Sequence, residues 1–364
     1  MQNDPEARTP RPYLHLRLWL LVATVLAAPL ATRAESNDAS TSSAPLPVKV
    51  MIINMFGLEA APWLHALGDT RAIAVQGLSA DYPDVHCTSE AVCQMTTGMG
   101  HANAAASIMA LLDSPQFDLR RTYFLIAGIA GIDPHHGTIG SAAWARYVVD
   151  LGIAHEIDAR ELPPGWQDGY FGVDTDGPTQ KPGFAYRTEV FRLDESLLKA
   201  ALSLSRTAVL EDSDDVRAYR SHYPESPANA PPQVIECDTA TADTWWTGAR
   251  LGEHASRWTR LLTDGFGDYC TTQQEDSATL VALTRGARSG RIDLARIAVL
   301  RTGSDFDRPY PHQSAFGALH AQRALNGAIR ISTDNLVFAG RPLIDTIVQH
   351  WDQWQSGVPA LLVP

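Results

Sequence analysis

Beyond residue 31 the 364-residue sequence has no long hydrophobic run. The longest, Tyr123 to Ile132, is ten residues and reads as a buried strand. A bilayer-crossing helix needs about 20 apolar residues, which argues against a membrane channel and leaves it the weakest of the readings. Basic residues are also short: 29 Lys and Arg stand against 41 Asp and Glu, a net charge of −12. That balance argues against a nucleic-acid surface and suits a small-molecule site. There are four cysteines, Cys87, Cys93, Cys237 and Cys270, with no CxxC or paired-His spacing, so no metal centre is expected. No internal repeat is present, which excludes a solenoid.

What is there begins with an apparent export signal. Arg8, Arg11 and Arg17 precede a 14-residue apolar stretch, Leu18 to Ala31, and Thr32-Arg33-Ala34 puts small residues at −3 and −1. Residues 1–34 read as a signal peptide and the protein as periplasmic or secreted; an uncleaved anchor is the rival reading. Without them the chain carries 25 basic and 39 acidic residues, a net −14. In an oxidising compartment an even cysteine count permits two disulfides, Cys87 with Cys93 first by proximity. Four buried thiols are the alternative. Residues 35–47 (ESNDASTSSAPLP) are small, polar and Pro-bearing, a flexible leader.

The remainder, 48–364, reads as one domain. Val48 to Asn54 is a buried strand, Met55-Phe56-Gly57 a turn and Glu59 to Leu67 a helix. Thr97-Gly98-Met99-Gly100 precedes a helix over Ala102 to Leu112. Thr122 to Ala127 is a strand leading into Gly128-Ile129-Ala130-Gly131, and Ser141 to Val149 another. Strand, Gly-rich turn, helix, strand is the pattern of an α/β sheet covered on both faces, where ligands sit beyond the carboxyl ends of strands. Residues 157–235, rich in Pro, Gly, Asp and aromatics, read as a loop-rich insertion. A helix at Asp276 to Thr284, a strand at Ile297 to Thr302 and a mostly helical tail from Ser314 complete the chain.

Four constellations carry chemistry, and each has a structural explanation beside the functional one. Glu59, in the first turn after a strand, is a candidate catalytic carboxylate or a charge matching the helix dipole. Thr97-Gly98-Met99-Gly100-His101 lets backbone approach a ligand at a helix N-terminus, or serves packing alone. Glu275-Asp276 opens a helix as a cap, or accepts hydrogen bonds from two vicinal sugar hydroxyls. Ser304-Asp305 ends an apolar strand, where Asp305 is either a turn residue or a general acid whose pKa burial raises.

In this order these pieces resemble the nucleoside phosphorylase and nucleosidase superfamily. Asp243-Thr244-Trp245-Trp246-Thr247-Gly248, Tyr269-Cys270-Thr271-Thr272-Gln273-Gln274-Glu275-Asp276, Leu300-Arg301-Thr302-Gly303-Ser304-Asp305-Phe306-Asp307-Arg308-Pro309 and Ile347-Val348-Gln349-His350-Trp351-Asp352-Gln353-Trp354 resemble the purine nucleoside permease family more closely. The resemblance implies a three-layer α/β/α fold: a central mixed twisted sheet flanked by helices, plus the inserted region. It implies a purine nucleoside as ligand and cleavage of its N-glycosidic bond, or nucleoside binding for transport without chemistry. By the same resemblance, Asp305, beside Ser304, would protonate or hydrogen-bond purine N7 and Glu275 would hold ribose hydroxyls. Trp245 or Trp246 would stack on the ligand, with Gly131 lining the site. Glu59 would activate water, and Thr97 and Gly98 would border the phosphate or water pocket. No cofactor is implied; inorganic phosphate stays open as a co-substrate, and so does a homo-oligomer. The superfamily's acid-Met-acid helix start is here Gln273-Gln274-Glu275-Asp276, one acid fewer. An extra RGARSGRID stretch separates Glu275 from Asp305, and no arginine occupies the first turn after the Val48 strand. The last departure favours water or plain binding over phosphate, with Arg301 and Arg308 as the arginines able to reverse that.

Overall fold

The computed structural model describes residues 44–360 except Asn326. The signal peptide and most of the leader lie outside the described residues. A twelve-stranded mixed sheet forms the centre. In chain order the elements are β1 (Val50–Asn54), α1 (Gly57–Leu67), β2 (Arg71–Ala74), β3 (Asp84–Cys87), β4 (Val92–Thr96), α2 (His101–Asp113), β5 (Tyr123–Ile132), β6 (Ala142–Trp144) and β7 (Tyr147–Asp150). Then follow β8 (Val190–Arg192), α3 (Glu195–Ser205), β9 (Val234–Glu236), β10 (Asp238–Thr241), α4 (Ala249–Leu262), β11 (Tyr269–Gln273), α5 (Asp276–Arg288), β12 (Ile297–Phe306) and α6 (Ala328–Gln349).

The sheet path runs β8-β7-β10-β11-β5-β1-β4-β3-β2. Its core is parallel: β1 pairs with β4 and β5, and β5 with β12. β11 runs antiparallel to β5, and β12 also pairs antiparallel with β6.

Alternation along the central strands builds the layers. Met51, Ile53, Phe124, Ile126 and Val299 pack on one face with Ile108 and Leu111 of α2 and Leu280 and Leu283 of α5. Val50, Ile52, Leu125, Ala127 and Leu300 pack on the other with Trp63 of α1, Leu197 of α3 and Leu336, Leu343 and Ile347 of α6. With apolar side chains needed on both faces, these strands read as continuous apolar runs. The expected α/β/α layering is what forms.

Several boundaries differ from the sequence reading. Gly128 to Gly131 is the second half of β5, as the ten-residue run Tyr123 to Ile132 implies, rather than a turn following a strand that stops at Ala127. The last strand continues past Thr302 to Phe306, so Ser304 and Asp305 sit on β12 itself. The expected Ser141 to Val149 strand is two, β6 and β7. Between them the chain turns where the Asp238 carboxylate accepts the Arg146 and Tyr147 N–H groups at 3.1 and 2.7 Å. The RGAR of the extra stretch is the end of α5. In the loop-rich region, β8 extends the sheet against β7 and α3 buries Leu197, Leu198, Ala200 and Ala201 in the core, so residues 190–205 belong to the main body.

Both disulfides form, Cys87–Cys93 and Cys237–Cys270. The second ties chain positions 33 apart. Loop-closure entropy then makes it worth about 3–4 kcal/mol. Replacing Cys237 and Cys270 by alanine is expected to lower unfolding free energy by that order, read from denaturant midpoints; an unchanged midpoint would contradict it. Among the described residues no helix is long and apolar enough to cross a membrane.

Candidate active site

The carboxyl ends of β1, β5 and β12 converge on a cavity of about 240 Å³. Its walls include Glu59, Gly131, Trp245, Trp246, Glu275, Ser304 and Asp305. Residues as far apart in sequence as Met55 and Asp305 are thus gathered where an α/β sheet is expected to bind ligands.

Glu59 is buried in the first turn of α1. Its carboxylate accepts the Met55 and Ile129 N–H groups, each at 2.8 Å. Burial raises its pKa to about 7, more than the Arg301 charge and these two donors lower it. Glu275 precedes α5 and accepts the Gly100 N–H at 3.0 Å. Its pKa is also raised by burial, against the opposing charge of Arg301. On β12, Ser304 Oγ donates to Asp305 at 2.8 Å, yet burial lifts the Asp305 pKa to about 6.

Arg301 links these acids. Its Nε donates to Asp276 at 3.1 Å and Nη2 makes a second contact with the same carboxylate. Nη1 donates to the Ile129 carbonyl at 3.0 Å, and Nη2 lies 3.6 Å from Glu275. A buried guanidinium requires such partners. In the sequence Arg301 stands out only as a phosphate ligand and Asp276 only as a cap. An arginine inside IAVLRTGS is the available signal, since a charge in a buried strand demands a buried acid.

Gln273 accounts for the missing acid of the helix start. Its side-chain Oε1 accepts the Glu275 and Asp276 N–H groups at 2.8 and 2.9 Å, capping α5 without charge. Gly128 faces Arg301 across the β5–β12 ladder. A Cβ there would lie 2.4 Å from Arg301 Nη1 and 2.8 Å from Glu59 Oε1. The glycine is required for space rather than for a turn. Gly128→Ala is expected to cost about 1–3 kcal/mol of stability by overpacking, measurable by thermal or denaturant unfolding; an unaltered midpoint would contradict it. At Gly131 a Cβ would stand 3.1 Å from Thr272 Cγ2 and in ordinary contact, 3.6 Å, with Asp305 Oδ2, so the demand for space is weaker there.

Trp245 is exposed at the cavity mouth with the Arg323 guanidinium 5.7 Å from its ring centre. Trp246 is half-buried and its indole N–H has no partner. The loop bearing them is anchored on the Asp307 carbonyl, which accepts Gly248 N–H at 2.8 Å and Thr247 Oγ–H at 3.1 Å.

Thr97 and Gly98 are not among the cavity walls. Thr97 Oγ donates to the Gly98 carbonyl at 2.8 Å and its N–H to Asn54, which turns both residues into the packing of the β4–α2 corner. Gly98 and Gly100 adopt φ of +85° and +88°, and Met99 between them reaches the cavity instead. His101 is a structural residue: its N–H donates to Asp243 and its ring faces Ser277 at 3.2 Å. Arg308 is held by Asp133 at 2.6 Å and by Asp307 at 2.7 Å, away from the cavity. Gln274, Thr244, Thr272, Met55 and Phe56 join the lining unanticipated.

This layered sheet with its site at the strand ends is the nucleoside phosphorylase and nucleosidase-like α/β fold. A 5′-methylthioadenosine/S-adenosylhomocysteine nucleosidase from Helicobacter pylori, solved with butyl-thio-DADMe-Immucillin-A, superposes with a TM-score of 0.50 at 14% identity, covering 82% of this chain and 98% of that one. Futalosine hydrolase of H. pylori gives 0.50 at 15% identity over 82% and 97%. At such identities the likeness is one of fold.

The chain belongs to the purine nucleoside permease family, whose model matches residues 47–359. A probable purine nucleoside permease of Schizosaccharomyces pombe is 44% identical over 348 residues, 92% of this chain and 98% of that one. A purine nucleoside permease of Candida albicans is 40% identical over 343 residues, 92% and 84%.

Proposed function

We propose that the chain binds purine nucleosides and hydrolyses their N-glycosidic bond. The observation that carries this is the pair of carboxyl groups on one cavity, Asp305 and Glu59, lifted by burial to about 6 and about 7. Carboxyls in that range exchange protons near neutrality, and two of them divide acid and base roles.

In this reading Asp305 donates its proton to N7 of the purine as the bond from the base nitrogen to C1′ breaks. The bonding electron pair leaves with the base. Positive charge grows on the sugar, as in glycoside hydrolysis generally. Glu59 takes a proton from a water whose oxygen joins C1′, so base and ribose are the products. Glu275 accepts hydrogen bonds from the ribose hydroxyls, and Trp246, with Trp245 at the mouth, stacks on the ligand. Met99 and the Gly100 N–H take the place expected of Thr97 and Gly98, the latter by holding Glu275. Water is favoured over phosphate because the cavity's arginine, Arg301, is already engaged by Asp276, Glu275 and the Ile129 carbonyl.

The family description, purine nucleoside permease, favours a second reading: a nucleoside-binding component of uptake without chemistry. Incubation with inosine, adenosine, guanosine and uridine, with and without phosphate, separates the readings by chromatography of base and sugar. Hydrolysis is expected to give free purine and ribose in both buffers and little from uridine. Ribose 1-phosphate appearing only with phosphate would overturn the choice of water, and intact nucleoside throughout would leave the binding reading. Export completes the proposal: N-terminal sequencing of the secreted or periplasmic chain is expected to start at Glu35, and a start at Met1 would contradict it.

A further inference from the structure

The N-terminus of α2 has no acid of its own. Its first turn carries none, and its cap, Gly100, has no side chain to offer. The first N–H groups of a helix need acceptors from outside it, and negative charge is favoured there. Two carboxylates from distant parts of the chain meet this need. Glu275, just before α5, accepts the Gly100 N–H at 3.0 Å. Asp243, just after β10, accepts the His101 N–H with Oδ1 at 2.8 Å.

Asp243 has further ties to the same two helices. Its Oδ2 lies 3.5 Å from His101 Nδ1. The other ring nitrogen, Nε2, meets Ser277 Oγ of α5 at 3.2 Å. Ser277 Oγ donates its one hydrogen to Asp150 at 2.9 Å, so it accepts from His101 and Nε2 carries the proton. The Asp243 carbonyl accepts Gln274 Nε2 at 2.6 Å, and the Ala242 N–H donates to the Gln273 carbonyl at 2.9 Å. Gly100 fits this arrangement, for a Cβ there would stand 3.3 Å from Asp243 Oδ1.

Asp243 itself is not a cavity wall, while Thr244, Trp245, Gln274 and Glu275 are. Its side chain is 60% exposed, so its partners, not its burial, define what it does. We propose that Asp243 is a positioning residue for the ribose end of the site. It ties the Trp245–Trp246 loop to the start of α2, and through the Gly100 N–H that start holds Glu275 Oε1. Glu275 Oε2, 3.6 Å from Arg301 and without a hydrogen bond among the described residues, is the oxygen left for a sugar hydroxyl. The proposal rests on the reading of Glu275 as the ribose acceptor.

Calorimetric titration with inosine and with 2′,3′-dideoxyinosine, which lacks both ribose hydroxyls, tests this. The mature chain carrying Asp305→Asn serves as the background, so that inosine persists. That chain is expected to bind inosine the more tightly. Adding Asp243→Ala, at an exposed position that leaves the core in place, is expected to shrink the preference about tenfold, the scale of a lost helix-start acceptor. Affinity for dideoxyinosine is expected to change little. Asp243→Asn keeps an acceptor for the His101 N–H and is expected to retain most of the preference. Where Glu275→Gln is already present, Asp243→Ala is expected to add little, because it acts through Glu275. An undiminished preference in Asp243→Ala, an equal loss for both ligands, or full additivity with Glu275→Gln overturns the proposal. Equal affinities before Asp243 is altered overturn it together with the ribose role of Glu275. The expected pattern in a chain that never cleaves inosine overturns the hydrolysis reading and leaves the role of Asp243 standing.

Discussion

Asp305→Asn is expected to slow release of base from inosine by roughly 10²–10⁴-fold, the span that general acid catalysis supplies. Asparagine keeps the shape and still accepts from Ser304 Oγ, so the substitution removes the proton rather than the packing. Affinity for inosine is expected to change little, because the acid acts on charge that develops only as the bond breaks. A variant with full turnover would remove Asp305 from the mechanism. A variant whose KM rises while kcat holds would make it a binding residue instead.

Glu59→Gln is expected to cost a similar factor, roughly 10²–10⁴-fold, with its own signature against pH. The reactive form needs Asp305 protonated, which holds below about pH 6, and Glu59 ionised, which holds above about pH 7. For kcat/KM this gives a rise below pH 6, a shoulder from 6 to 7 and a fall above 7. The two groups are interchangeable in that shape, and the variants separate them. Without Glu59 the residual rate should be level below pH 6 and fall above it. Without Asp305 it should climb to about pH 7 and stay level. Both variants keeping the parental limbs would assign the titrations to other groups.

The fold was legible because burial on both faces forces continuous apolar strands, and the order of those strands with the acids at their ends carries the family pattern. The cavity lining was legible at Glu59, Ser304 and Asp305, placed just after or at the end of an apolar run, and at Glu275, an acid at a helix start. Gly128 falls inside the ten-residue run that reads as a strand; what the sequence does not show is its purpose there, space for Arg301 and Glu59. Thr97 and Gly98 misled. The backbone reverses there, but the residue that reaches the cavity is Met99. Arg301 with Asp276 was hidden because the partners stand 25 positions apart and pair only once α5 packs beside β12. The role of the 157–235 stretch was equally out of reach. Its short strands carry no periodicity, and their contribution depends on meeting Trp246 and α4 from elsewhere in the chain.

The central claim is bond cleavage at the Asp305–Glu59 cavity, and a single-turnover experiment tests it most directly. The mature chain in excess over inosine, in phosphate-free buffer at pH 6.5, is quenched over time and the purine is separated by chromatography. The expected result is complete conversion to hypoxanthine and ribose, slowed by Asp305→Asn without loss of bound inosine. Inosine that is bound and recovered intact at long times would contradict it and make the chain a nucleoside-binding protein.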